Sequence, residues 1–296
     1  MDSKAEIRDF LVTRRARITP QQAGLPAYGK RRVPGLRREE VAALAGMSVD
    51  YYNRLERGNL AGVSDSVLEA IAVALQLSEA ERLHLYNLAR AANPTPRTRR
   101  APRRTRMSPS IGRVLEGMTD VAAIVRNGRM DLLAASRLGR ALYSPAYEEG
   151  GSEPNLARFA FLDPRAHDFY PDWDGAANVA VALLRAEAGR NPHDRALSDL
   201  VGELSTRSED FRVRWAAHNV RLHESGTKVF HHPAVGPLTL NYDLMDLPGE
   251  GGLSLTAYTA ELGSPSHDAL KLLASWAATL DDGQTTDRAT SQRPGA

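Results

Sequence analysis

The stretch from Leu36 to Gly58, LRREEVAALAGMSVDYYNRLERG, constrains this chain most, because its apolar spacing and its punctuation spell two short helices joined by a tight turn. Leu36, Val41 and Leu44 recur at steps of five and three, which puts them on one helical face, while Arg37, Arg38, Glu39 and Glu40 leave the first turn polar. Gly46 supplies the left-handed backbone that closes a helix, and Ser48 stands where its hydroxyl caps the next one. The second helix therefore begins near Val49. Its Tyr52 and Leu55 fall on one side, Val49, Asp50, Tyr51 and Asn53 face away from them, and Gly58 ends it. Two helices of this length with such a turn have helix-turn-helix geometry, in which the second helix enters the major groove of DNA; the same spacing also fits a plain helical hairpin.

A helix-turn-helix cannot bury its own apolar faces, and the flanking sequence offers the helices that would cover it. Ser3 and Glu6 open a helix from about Lys4 to Arg17 with Ile7, Phe10 and Leu11 as its buried stripe and Arg14, Arg15 and Arg17 in its last turn. After Gly58, Ser64 caps a helix over Asp65 to Gln76, and Ser78 with Glu81 caps another over Glu79 to about Ala91. Between the first helix and Leu36, Pro20, Gly24, Pro26, Gly29, Pro34 and Gly35 forbid a continuous helix, and this loop carries Lys30, Arg31 and Arg32 together. Three adjacent cations fit a phosphate backbone or a minor groove, and equally a solvated basic loop.

Charge separates the chain. Residues 1 to 106 hold 20 Lys and Arg against 11 Asp and Glu, or +9, whereas residues 107 to 296 come to −7. Phosphate attracts the first part and repels the second. The boundary is the segment 93–109, which has Pro94, Pro96, Pro102 and Pro109, six arginines and no acid, and reads as an extended linker able to add phosphate contacts. Zero Cys excludes disulfides, thiolate metal sites and cysteine nucleophiles. With no run of about 18 apolar residues and Asp2, Lys4 and Glu6 directly after Met1 in place of a leader, the expectation is a cytoplasmic protein that does not enter the membrane.

Beyond Ser110 the period changes. A short helix over Ile111 to Met118 precedes VAAIVRNGRMDLLAA, two apolar runs around Asn127-Gly128, a dipeptide suited to a two-residue hairpin turn. Short helices follow over Ser136 to Tyr143 and Leu156 to Leu162, then helices over about Asp174 to Gly189, Arg195 to Ser205 and Ser208 to His223. Period-two runs at Thr227 to His232, Leu238 to Leu244 and Leu253 to Ala260 read as strands, and Ser264-Pro265 opens a last helix with Leu270, Leu273, Trp276 and Ala277 inward. Past Asp281 the polar tail, 282–296, reads as disordered. The expected fold is multidomain: an all-α domain over 1–92, then an α+β domain over 110–281 whose antiparallel sheet has one covered face.

These motifs resemble known families. EEVAALAGMSVDYYNRLERG, with its Ala-Gly turn, Ser48 and the ending Arg54, Leu55, Glu56, Arg57, Gly58, looks like the lambda-repressor-like, XRE-type helix-turn-helix. VPGLRREEVAALAGMSVDYYNRLERG, NLARFAFLDPRAHDFYPDW, SGTKVFHHPAVGPLTLNYDLM and SPSHDALKLLASWA, in that order, resemble the MmyB-like transcription regulators over nearly the whole chain. That resemblance implies a DNA-binding transcription regulator whose XRE-type domain is joined to a PAS-like domain for a small, apolar, fatty-acid-like effector. The implied DNA-facing set is Arg32, Arg37, Arg38, Ser48, Val49, Asp50, Tyr51, Asn53 and Arg54, with Arg38 on a phosphate. Val49 suits a thymine methyl, Asn53 an adenine and Asp50 a cytosine amino group. Asp50 also reads as a helix-terminal charge, and Glu56 as the partner of an arginine of the first helix. Phe159, Phe161, Tyr170, Trp173, Trp215, Tyr242 and Tyr258 are the aromatic candidates to line the ligand site, each with core packing as the plainer reading.

A module this small reads an operator as two copies on half-sites a helical turn apart, so a homodimer on double-stranded DNA is expected. His218, His223, His231 and His232 do not converge at helical or strand spacing, and no metal or other cofactor is expected. The chain lacks G-x-S-x-G, phosphate-loop and dinucleotide fingerprints, so it is not expected to be an enzyme. The remaining alternative is a regulator that binds a protein partner through its helical domain.

Overall fold

The computed structural model describes residues 3–26, 33, 35–93, 107–147, 154–192, 194–217, 225–247, 250 and 252–291, excepting the side chains of Ser3 and of 279–291. Lys30, Arg31, Arg32, most of the 93–109 segment, His218, His223 and residues 292–296 lie outside this set, and so does the expected cap by Ser3. Among the described residues no helix is long and apolar enough to cross a membrane. No group of three or more His, Asp or Glu among them is placed to hold a metal ion.

The chain folds into two compact units, one of residues 1–101 with 181–222, the other of 102–180 with 223–296. In the first, α1 (Ser3–Arg17), α2 (Arg38–Leu44), α3 (Val49–Glu56), α4 (Asp65–Ala74) and α5 (Glu79–Ala92) enclose a core of Ile7, Phe10, Leu11, Leu36, Val41, Tyr52, Leu55, Leu60, Leu68, Ile71, Leu85 and Leu88. Leu44, expected on the buried face of α2, is instead exposed. The local signals hold elsewhere. Gly46 and Gly58 adopt φ of 64° and 93°, the left-handed backbone that ends a helix. Gly58 has a second reason to be Gly, since a Cβ there would stand 2.4 Å from the Lys4 carbonyl oxygen. Ser78 and Glu81 form the expected capping box on α5. Ser64 precedes α4 as expected but makes no capping hydrogen bond, its hydroxyl lying 2.9 Å from that of Ser66.

The second unit is built on an antiparallel sheet in the order β2-β1-β5-β4-β3, from β1 (Ala122–Arg126), β2 (Leu132–Ala135), β3 (Ser225–His232), β4 (Gly236–Leu247) and β5 (Leu253–Thr259). Asn127-Gly128 does not make the expected two-residue turn. Met130 takes the left-handed conformation, its N–H donates to the Asn127 carbonyl at 3.0 Å, and the Asn127 side chain accepts from the backbone of Arg129 and Asp131. An Asx-type cap on a longer loop has replaced the dipeptide's own turn.

Both faces of the sheet are used. On one, α6 (Pro109–Gly117) lays Leu115 over Ala123, Val125, Leu253 and Leu255, which alternation places together; the single covered face of the sequence reading is corrected here. On the other face, α7 (Arg137–Leu142), α9 (Arg165–Phe169) and α13 (Pro265–Ser291) pack against β1, β3 and β4. The backbone of α13 continues past Asp281, where the sequence reading ends the ordered domain. Between the early strands and β3 come α8 (Leu156–Leu162), α10 (Trp173–Arg190), α11 (Arg195–Arg207) and α12 (Glu209–Ala216).

Candidate functional site

Helix α3 begins where Ser48 Oγ accepts the Tyr51 N–H at 3.1 Å, the expected cap. That cap and the burial of Tyr52, Leu55 and Glu56 fix which side chains face outward. Val49 is 42% exposed, Asp50 and Arg54 are exposed, and Tyr51 and Asn53 are half-buried. The Arg54 guanidinium lies 5.0 Å from the Tyr51 ring centroid, a cation-π contact on the outward side of the helix. Asp50 sits in the first turn, where the positive end of the helix favours a carboxylate.

Glu56 ties this helix to its neighbours. Buried to 2% exposure, it accepts from Arg15 Nε and Nη2 at 3.0 and 2.9 Å, the expected partner on α1. It also accepts from Arg38 Nε at 3.1 Å, a second bond that the sequence reading did not include. The Arg38 side chain remains 55% exposed at the start of α2. One carboxylate therefore orients a surface cation while leaving more than half of that side chain exposed. Arg37 is exposed beside it, pairs with Glu39 at 3.3 Å, and its backbone N–H donates to Glu40 at 2.6 Å. Burial beside Glu56 raises the Tyr52 phenol well above the ordinary tyrosine range, so it stays neutral.

In the second unit the structure brings Phe159, Tyr170, Tyr242 and Tyr258 of the aromatic candidates onto one sheet face, together with Tyr143, Phe169 and Phe230, which sequence reasoning missed. Phe230 lies 5.3 to 6.0 Å from the ring centroids of Phe169, Tyr258, Tyr143 and Tyr170. The Tyr143 and Tyr258 hydroxyls are 2.6 Å apart, and burial raises both phenols, Tyr258 to about 12. Phe161 and Trp173 form a separate group with His167, which stacks on Trp173 at 4.4 Å. Trp215 belongs to the other unit, stacked on Phe211 at 5.5 Å.

Two cations join the aromatic face. Lys228, opposite Leu240 on β4, sets its ammonium 4.4 Å from the Tyr170 ring and 5.1 Å from that of Phe230. Burial, with Arg126 as a second positive charge, lowers it to about 7. Arg126, buried at the end of β1 opposite Ser254, shares the face of Ile124 and Ala122 by alternation. The available signal was the period of β3: Lys228, Phe230 and His232 point one way, Thr227, Val229 and His231 the other, so a lysine occupies an otherwise inward row. His232 accepts the Ala234 N–H on Nδ1 at 3.2 Å and donates from Nε2 to the Ala141 carbonyl at 3.0 Å. Burial lowers its pKa, which keeps it in that neutral tautomer.

An arrangement with an outward, capped helix in one unit and an aromatic face bearing cations in the other suits recognition at two places. Two family models match the chain. Residues 12–85 match a helix-turn-helix domain, and residues 107–273 match the MmyB-like transcription regulator ligand binding domain. A comparison with curated proteins finds no match. Since the second match alone spans more than half of the 296 residues, the chain belongs to the MmyB-like transcription regulators.

Proposed function

We propose that this regulator inserts α3 into the major groove of a specific operator and that a small apolar acid on the aromatic face of its PAS-like second unit modulates the affinity. The observation that carries the first part is the α3 surface: Val49, Asp50 and Arg54 exposed, with Tyr51 under the Arg54 guanidinium, on a helix anchored from behind by Glu56. Val49 suits a thymine methyl and Asn53 an adenine edge, and Arg38 and Arg37 stand ready for phosphates. A homodimer on two half-sites supplies the specificity that one helix lacks.

Lys228 and Arg126 beside the aromatic rings support a ligand with an apolar body and an anionic head, of which a long-chain carboxylate is the simplest example. The test is fluorescence anisotropy of the full chain on a duplex from upstream of its own gene and on an unrelated duplex, over several salt concentrations. Tight binding to the first alone supports the reading; equal, weak binding that salt abolishes on both overturns it. Arg38→Ala is expected to weaken binding on both duplexes together, since a phosphate contact carries no sequence information.

A further inference from the structure

The first unit contains residues that the domain boundary in the sequence assigns elsewhere. The 181–222 segment, within the stretch matched by the ligand-binding family, clusters with the DNA-binding helices. Two contacts show how it is held there. Arg185 of α10, fully buried, pairs with Glu6 of α1, donates from Nη2 to the Trp215 carbonyl, and lies 4.2 Å from the Trp215 ring centroid. One turn further along α10, Gly189 approaches α5 so closely that a Cβ would meet the His84 ring at 2.9 Å. A glycine inside a helix costs about 1 kcal/mol against alanine, and close approach to His84 is the structural reason for it here.

Glu6 and Arg15 are nine residues apart on α1. At 100° per residue they lie on opposite sides of the helix, roughly 13 Å apart along its axis. One side is therefore held by Arg185, and the other, through Arg15, holds Glu56 of α3 and so Arg38. The chain of contacts from Trp215 to Arg38 runs through helix α1, and on either side of that helix each link is an ion pair, a charged hydrogen bond or a cation on a ring.

We propose that Arg185 is a positioning residue for DNA recognition: it holds α1 through Glu6, and α1 holds α3 and Arg38 through Arg15 and Glu56. Helices α10 to α12 thereby form a bracket on the DNA-binding helices. The unit boundary falls between Ala180 and Val181, inside the uninterrupted helix α10, so the bracket is continuous in sequence with the second unit. The proposal rests on the DNA-binding reading for its consequence, though not for its physical test.

That test is hydrogen exchange on the full-length chain, peptide by peptide. Arg185→Met is expected to speed exchange in both α1 and α3 by roughly a hundredfold or more while the sheet peptides keep their rates. Glu6→Gln combined with Arg185→Met removes both charges of the pair and is expected to restore most of the protection, which simple loss of packing at residue 185 would not allow. Gly189→Ala, which presses on His84 without touching the ion pair, is expected to loosen α5 first. Acceleration confined to α10 and α12, or a double variant exchanging as fast as the single one, would overturn the proposal. On DNA, Arg185→Met is expected to lose selective binding and the double variant to regain it. If the native chain itself does not discriminate between duplexes, the DNA-binding reading fails while the exchange data still decide the relay.

Discussion

Each unit draws a long cation out of water, Arg185 fully buried and Lys228 half-buried, and the two are treated oppositely. Arg185 meets a carboxylate, a carbonyl and an indole, so the cost of removing its charge from water is offset within the fold. Lys228 meets the rings of Tyr170 and Phe230 with Arg126 nearby, and its ammonium is lowered to about 7. A buried cation with its counter-charge built in is a tie between elements. A half-buried cation held against rings, close to losing its proton, is where the proposed ligand would bring an anion.

Substitution by methionine breaks the comparison most directly. Arg185→Met removes the arginine that pairs with Glu6 and is expected to destabilise the first unit by about 3 kcal/mol or more, as removal of one member of a buried pair does. Lys228→Met removes a desolvated charge and is expected to leave the second unit as stable or more so. Urea unfolding monitored in each unit measures both; equal losses would erase the distinction. Titration sharpens it. Because folding lowers the Lys228 pKa, the unfolded chain binds more protons between about 7 and 10.5, and stability contributed by this site rises with pH across that window and is lowest below it. The difference between the native chain and Lys228→Met should follow that curve, and a flat difference would refute the assignment. A bound carboxylate reverses the shift, so binding near pH 8 should take up protons, visible as a calorimetric enthalpy that depends on the buffer. Smallest is Ser48→Ala, expected to cost about 1 kcal/mol through the lost cap on α3, measured by thermal unfolding.

What was legible in the sequence follows the range of the interaction. Ser48, Ser78 with Glu81, Gly46 and Gly58 act within one turn, and α3 and α5 start or stop where those residues require. The last three strands were legible from their period of two, the first two as apolar runs around Asn127-Gly128, and Glu56 as the partner of an arginine of the first helix. Asn127-Gly128 misled because a side-chain cap on Arg129 and Asp131 competes with the dipeptide's own turn. Arg185 and Glu6 were beyond reach: they are 179 residues apart, and nothing local to either announces the other. Lys228 was present in the pattern but was passed over, since an inward lysine gains its meaning only when the rings around it are known. The aromatic candidates were chosen by type, which is why Trp215 was grouped with a face it does not share.

The central proposal is that a ligand on the second unit's aromatic face governs the first unit's grip on DNA. The direct measurement is the affinity of the full chain for its upstream duplex, with and without a series of long-chain carboxylates, in the native chain and in Lys228→Met. The expectation is that one member of the series changes the native affinity about fivefold or more and that Lys228→Met abolishes the change while keeping DNA affinity in its absence. An affinity indifferent to every carboxylate, or a response that survives in Lys228→Met, would contradict it.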